Sequence, residues 1–209
     1  MNRQSGDGVD LREADIQLFR NLPPDYLRAL GGLLSRKTFS AGVTLMTTEQ
    51  AGEAVYFIQS GTVKVHLEQE DGGDVIIAIL GPGESVGEMS VLGQATRSAS
   101  VVTIESSVML WMDCAAFQSC LLKSPELCYN LACALAERLR RANEKIQTLA
   151  TQSVESRVAR QLLSFAEQYG QPQPDGGVYL NIRLTQGDIA SLIGASREHI
   201  NRVMVSYKE

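Results

Sequence analysis

Leu135, Leu139, Ala142, Ile146 and Leu149 recur at alternating spacings of four and three, and Glu137, Arg138, Arg140, Arg141, Glu144 and Lys145 lie between them. This is the a/d seam of a coiled coil with charged outer faces, and it predicts a helix over 127–152. At about 1.5 Å per residue such a helix is on the order of 40 Å long, more than a small domain covers. A helix packed on its own core is one reading. A seam against a second copy of the chain fits the charged flanks better, which makes the helix both a dimer axis and a link between two domains. The chain before this helix reads as β, and the chain after it reads as α.

Before the seam, Met1 to Asp10 is polar and predicts a disordered arm. Leu11, Ala14, Ile16, Leu18 and Phe19 suggest a short helix over 11–20. Pro24 suits the first turn of a second helix, with Tyr26, Leu27, Leu30, Leu33 and Leu34 as its buried stripe. Short β-rich runs follow over 44–46, 54–59, 62–68, 75–80, 98–104 and 108–112, separated by glycine turns. Asp71-Gly72-Gly73-Asp74 is a hairpin signal, because glycine supplies positive φ. Many short strands at this interval predict an antiparallel barrel or roll. Helical spacing returns over 115–123, and Pro125 opens the long helix. Beyond it, Val154, Val158, Leu162, Leu163 and Phe165 keep a helical period up to Gly170; a Pro/Gly loop and a short hairpin over 178–184 come next. The fold class is α+β.

Composition narrows the function. The chain has 209 residues, 44% hydrophobic and 21% charged, which suits one large or two small domains. No apolar run approaches a membrane span, and the N-terminus has no secretory h-region, so the expected setting is the cytoplasm with no membrane partner. Net charge is −5; residues 154–209 carry six basic and six acidic groups, so residues 1–153 carry the whole excess (13 − 18). DNA contact would need a locally concentrated face, not bulk charge. Cys114, Cys120, Cys128 and Cys133 contain no Cys-x-x-Cys pair and do not space like a zinc site, so they read as ordinary thiols and no metal is expected.

Two stretches carry chemistry. Residues 186–205 fit a helix-turn-helix: Ala190 is small where the helices touch, Gly194 sits at the turn, and Ile200 packs back. Thr185 and Ser196 are placed to cap the two helices. A plain αα-hairpin is the alternative. The second helix opens Ser196-Arg197-Glu198-His199 and continues Asn201-Arg202. Arg197, Glu198 and Arg202 share a face; arginine can reach guanine O6 and N7, and glutamate can accept from cytosine N4. A merely solvated charged face is the competing reading. The other stretch runs from Gly83 through Gly87 and Glu88 to Thr96-Arg97-Ser98-Ala99. Its glycine turns lead into a short helical segment whose backbone N–H groups suit a phosphate. Arg97 can neutralise that phosphate, Ser98 can donate to it, and Glu88 can accept from a ribose hydroxyl. Glycine alone is a weak signal; the nine-residue spacing from Glu88 to Arg97 makes it specific.

On these residues the chain resembles the catabolite activator / fumarate–nitrate regulator superfamily of bacterial transcription factors, most closely its cyclic-AMP receptor branch, over residues 18–205. The resemblance implies a cyclic-nucleotide-binding β-roll of jelly-roll type over 23–126 behind an N-terminal arm and short helix (1–22), a dimerisation helix over 127–152, and a DNA-binding domain over 153–209. It implies a homodimer that binds cyclic AMP or cyclic GMP and double-stranded DNA at a palindromic TGTGA-like site, with RNA polymerase as a further partner. By this match Gly87, Glu88, Met89, Ser90, Arg97, Ser98 and Ala99 form the ligand cassette. Arg138 stands where the family pairs a long-helix arginine with the cassette glutamate. Arg197, Glu198 and Arg202 match the base-reading residues, with Thr185, Gln186, Ser196 and Asn201 around them.

Two positions depart from that branch. Its adjacent Thr and Ser on the long helix, which meet the adenine, are replaced by Ala142 and Asn143, so a regulator that is ligand-independent or differently gated is the alternative. Family members also continue into a β-hairpin wing where this sequence stops at Glu209, which predicts a bare face near Val203 and Met204. Gly83-Glu84-Ser85-Val86-Gly87 also matches a serine-hydrolase elbow, but that motif needs an α/β sheet and a triad histidine. The histidines are His66, read as a solvent-side strand residue, and His199 on the recognition helix, so an enzyme is not expected. Neither a haem ligand nor an N-terminal cysteine cluster is apparent.

Overall fold

Strand-forming runs divided by turns assemble into two four-stranded sheets in a computed structural model of the chain, which describes residues 9–11, 14–70, 73–93 and 96–207. The strands are β1 (Ser35–Phe39), β2 (Thr44–Met46), β3 (Ala54–Ser60), β4 (Val63–Glu68), β5 (Asp74–Leu80), β6 (Ser85–Val86), β7 (Ser100–Thr103) and β8 (Ser107–Asp113). One sheet has the order β1-β8-β3-β6 and the other β2-β7-β4-β5. The β3–β8 pair is antiparallel, with Phe57 opposite Leu110 and Ile58 opposite Met109. Val55, Phe57, Leu110 and Met112 join the helical core cluster, while Ala54, Ile58 and Met109 on the other parity are also buried. Alternate residues of a strand face opposite ways, so this sheet is covered on both faces. That explains why β3 and β8 read as continuous apolar runs.

The described residues form two compact units, one within 1–67 and 79–137 and the other within 68–78 and 138–209. In the first, the roll is joined by α1 (Pro24–Gly31), α2 (Glu88–Gly93), α3 (Cys114–Lys123) and the start of α4 (Pro125–Thr151). Phe57 sits between Phe19 and Phe117, with ring centroids 4.8 and 5.8 Å away, and so ties the N-terminal segment and α3 to β3. Ser124 caps α4 by accepting from the Leu127 N–H at 3.1 Å. Leu127 and Leu131 bury the first turns of α4 in this core.

The second unit holds α5 (Val154–Tyr169), a hairpin of β9 (Gly170–Pro172) and β10 (Val178–Leu180), then α6 (Gln186–Ile193) and α7 (Arg197–Ser206). Its interior is built from Val158, Phe165, Ile189, Ala190, Leu192, Ile193, Ile200 and Val203. Gln152 and Ser153 are all that separates α4 from α5, and Ser153 caps α5 by accepting from the Ser156 N–H.

Several expectations need correction. The stretch 11–20 is not a helix; it holds a 3-10 turn over Gln17–Phe19, and the Gln17 N–H is used by the Gly83 carbonyl at 2.9 Å. Buried Ala14, Ile16 and Leu18 alternate with exposed Asp15 and Gln17, the period of extended backbone and not of a helix. Val9 packs on the core, while residues 1–8 of the expected arm lie outside the described residues, as do Asp71 and Gly72 of the hairpin turn. Leu33, assigned to a buried stripe, is 52% exposed because α1 ends at Gly31. His66 is buried, not solvent-side. The hairpin expected within 178–184 pairs backwards with 170–172, and Val203 is packed inside its own domain. The polar strand β1 and the two-residue β6 had no apolar alternation to reveal them.

The Tyr26 hydroxyl donates to the Cys120 carbonyl at 2.8 Å and so fastens α1 to α3. Burial, reinforced by Cys120, pushes its ionisation from 10.0 to about 12. A raised tyrosine favours the folded state fully below its unfolded value and loses that contribution as pH climbs from about 10 towards 12. Tyr26→Phe should lower stability by about 0.5–1.5 kcal/mol at neutral pH. Thermal melts should also show a shallower alkaline loss than in the parent chain.

Candidate functional site

In the first unit, the loop before α2 comes close to the end of the segment 96–99. Gly87 has φ +89°, and a Cβ there would lie 2.5 Å from Arg97 Nη1 and 2.9 Å from the Ala54 carbonyl oxygen. Glycine is required on both counts. Across the same space, a Cβ on Gly52 would lie 2.6 Å from Ser90 Cβ. The backbone of Arg97 is held by the neighbouring loop: its N–H donates to the Gln50 carbonyl at 2.9 Å, and its carbonyl accepts from the Glu49 N–H at 3.0 Å.

The Arg97 side chain is 5% exposed. Nη1 donates to the Gly87 carbonyl at 2.9 Å and the Ser90 hydroxyl at 3.1 Å, and Nη2 donates to the Ala54 carbonyl at 2.6 Å. Guanidinium stays protonated in proteins, so a permanent cation is held inside the roll by neutral oxygens. Beside it, burial pushes the Cys114 thiol up, and the Arg97 charge pulls it partly back. Burial likewise raises the Tyr56 phenol, against the pull of Arg97. Glu88 opens α2 and is buried, with its Oε2 accepting from the Ser85 hydroxyl at a long 3.5 Å. Ala99 is buried; Ser98 and Met89 are exposed and touch each other, hydroxyl to sulfur, at 3.9 Å.

The structure thus brings Gly87, Ser90 and Arg97 into direct contact. Arg138, Ala142 and Asn143 lie on the stretch of α4 that belongs to the second unit. Sequence reasoning missed Gly52 and Ala54; Gly52 looked like an ordinary turn, and a backbone carbonyl leaves no side-chain signature. The arrangement can offer a fixed positive charge, close backbone approach and a nearby carboxylate.

The second unit presents the helix-turn-helix. Thr185 caps α6 with a reciprocal box: its hydroxyl accepts from the Asp188 N–H at 3.0 Å, and its own N–H donates to Asp188 Oδ2 at 2.9 Å. Gly194 takes φ +66° at the turn, and Ser196 caps α7 by accepting from the His199 N–H. Arg197, Glu198, Asn201 and Arg202 are exposed on α7, and Gln186 reaches from α6 to the Asn201 side chain at 3.3 Å. Two ties hold residues 74–77, the start of β5, within this unit. Lys145 of α4 donates to the Ile76 and Ile77 carbonyls at 2.9 and 3.1 Å, and Ser191 of α6 bonds the Asp74 carbonyl and the Ile76 N–H. Desolvation lowers the Lys145 ionisation. On α4, Leu139, Ile146 and Leu149 are 63%, 65% and 42% exposed.

A buried cation among glycine turns in a β-roll, followed in the chain by a helix-turn-helix, defines a class: transcription regulators with a sensory domain ahead of a DNA-binding domain. Residues 36–124 match the family profile "Cyclic nucleotide-binding domain", and residues 156–209 match the "Crp-like helix-turn-helix domain". A CRP-like cAMP-activated global transcriptional regulator of Mycobacterium tuberculosis is 34% identical over 190 residues, spanning 91% of this chain and 84% of the relative. The cyclic AMP receptor protein of Thermus thermophilus is 30% identical, over 92% and 85% of the two chains. The crystal structure of Thermus thermophilus catabolite activator protein superposes with a TM-score of 0.57 at 30% identity, covering 92% of this chain and 86% of that one. A c-di-GMP-responsive regulator of Xanthomonas campestris shares the fold, with a TM-score of 0.73 at 21% identity over 89% and 92% of the two chains. The chain belongs to the CRP/FNR family of transcription regulators, a family of regulators and not of enzymes. Among the described residues no helix is long and apolar enough to cross a membrane, and no group of three or more His, Cys, Asp and Glu could hold a metal.

Gly87→Ala should destabilise the sensory unit by about 1–3 kcal/mol, since it adds both backbone strain and a clash with Arg97. Gly42→Ala is the control, because Gly42 has φ +78° with nothing within 4 Å of its Cβ position. Thermal melts should show the larger loss for Gly87→Ala; equal losses would mean that the approach to Arg97 does not matter.

Proposed function

We propose that the chain is a cytoplasmic, homodimeric, cyclic-nucleotide-responsive regulator that binds a palindromic TGTGA-like site. The observation that carries the sensory half is the buried guanidinium of Arg97, whose partners among the described residues include two carbonyls and a hydroxyl. Neutral dipoles solvate a buried cation without cancelling its charge, so an anionic phosphate is the group that completes the cradle. Glu88 would take the ribose 2′-hydroxyl, Arg97 and Ser98 the cyclic phosphate, and Gly87, Met89, Ser90 and Ala99 would shape the cradle. Arg138 and Asn143, with Ala142, would meet the ligand from α4. Cyclic AMP and cyclic GMP share the phosphodiester and differ in the base, where Ala142 and Asn143 stand.

The exposed Leu139, Ile146 and Leu149 support the dimer, since a continuous apolar stripe on a long helix marks an interaction face. Leu135 and Ala142 complete that seam. The dimer would set two α7 helices about 34 Å apart, one turn of DNA. Arg197, Glu198 and Arg202 would read bases, with Thr185, Gln186, Ser196 and Asn201 at the edges of the contact. Ligand would favour the arrangement of the seam that it binds more tightly. Ala142, with no hydroxyl, favours one second reading: a family member whose DNA affinity does not depend on a nucleotide.

Calorimetric titration with cyclic AMP and cyclic GMP in parallel should give saturable binding by at least one, lost in Arg97→Ala while the dimer persists by light scattering. Unchanged affinity in Arg97→Ala means that the pocket lies elsewhere. Arg197→Ala should cost about 1–3 kcal/mol of DNA binding and relax preference at one base pair; uniform weakening over all sequences would make it a phosphate contact.

A further inference from the structure

We propose that Glu155 is a positioning residue for DNA recognition, fixing the rotation of the recognition helix α7 relative to the junction between α4 and α5. Glu155 sits in the first turn of α5, two residues beyond Ser153. Its side-chain Oε1 lies 3.1 Å from His199 Nε2, and its backbone carbonyl accepts from the Tyr207 hydroxyl at 2.9 Å. His199 is in the first turn of α7, and Tyr207 is its C-cap. Eight residues of helix rise about 12 Å, so two side chains from opposite ends of α7 converge on one residue.

The buried Ile200 and Val203 decide which face of α7 turns inward, but apolar contact is non-directional and tolerates small rotations. Hydrogen bonds at both ends do not. A turn of α7 about its own axis would carry His199 and Tyr207 off Glu155 together. The same turn would re-aim Arg197, Glu198 and Arg202.

Surface exposure argues that the tie serves geometry more than folding. The His199 and Glu155 side chains are 34% and 56% exposed, and solvent-screened pairs of that kind add little to stability. The Glu155 carboxyl is pulled down to about 2, first by its own backbone N–H, then by Ser153 and His199, so it stays an acceptor throughout the physiological range. Arg157, on the same helix, makes a longer contact to the Gly194 carbonyl at 3.4 Å, on the turn that leads into α7. Everything in this set lies within the second unit.

The inference rests on α7 being the DNA reader proposed above, and its test separates the two. Binding of the full chain to a fluorescent duplex carrying an inverted TGTGA repeat, and to a scrambled duplex, is followed by anisotropy. Each is measured in buffer, with cyclic AMP and with cyclic GMP, and the condition of best discrimination by the parent chain is used. Glu155→Ala should reduce the preference for the TGTGA duplex by about tenfold. Glu155→Gln, which keeps the acceptor for His199, should restore most of it, and His199→Ala should add little to Glu155→Ala. Nucleotide affinity should not change in any of these variants. Discrimination by the parent chain that Glu155→Ala leaves intact, or that Glu155→Gln fails to rescue, overturns this inference alone. A parent chain that binds both duplexes equally in every condition overturns the DNA-reading proposal and this inference with it.

Discussion

The sensory unit depends on a cation that the fold has to keep indoors. Arg97 lies 5% exposed among the Gly87 and Ala54 carbonyls and the Ser90 hydroxyl. Each of those partners is where it is because of something else in the sequence. Gly87 can offer its carbonyl only at a backbone angle that suits glycine. Ala54 opens β3, the strand whose Phe57 sits at the centre of the aromatic contacts. Gly52 leaves the room that Ser90 occupies. Burying a charge is costly unless it is well bonded, so these residues are constrained as a set.

From this cradle the proposed signal would reach DNA through a chain of short connections. α4 carries both the exposed seam and Lys145, which grips the β5 backbone. Only Gln152 and Ser153 stand between α4 and α5, and Glu155 in the next turn holds both ends of α7. Short capped junctions transmit rotation better than long loops, because few backbone angles are free to absorb it. The helix-turn-helix is stiffened by the same economy: a reciprocal box at Thr185, a left-handed Gly194 and a serine cap at Ser196.

Much of this was legible in the residues because the relevant physics is local. The 4-3 repeat of α4, the caps at Thr185 and Ser196, and the glycine turn at Gly194 each follow from spacing over a few positions. The β-roll was legible as a class, but β1 was not, because Ser35-Arg36-Lys37-Thr38 shows no apolar alternation and gains its place by pairing with β8. The stretch 11–20 reads as helix from its apolar content, but buried Ala14, Ile16 and Leu18 alternate with exposed Asp15 and Gln17, a period of two that belongs to extended backbone. Within the cradle, Gly87, Ser90 and Arg97 were legible; the Ala54 carbonyl and Gly52 were not. Glu155, His199 and Tyr207 meet across 44 and 52 residues of sequence, beyond the reach of any local pattern.

In the proposed mechanism, occupancy of the Arg97 cradle changes how the chain binds DNA. The most direct test is the affinity of the full chain for the inverted-repeat duplex as a function of added cyclic nucleotide, measured at fixed salt. A saturable rise in affinity with cyclic AMP or cyclic GMP that disappears in Arg97→Ala is expected. Equal affinity at every nucleotide concentration, with the cradle demonstrably occupied, would contradict it and leave a regulator whose DNA-binding state is set by something else.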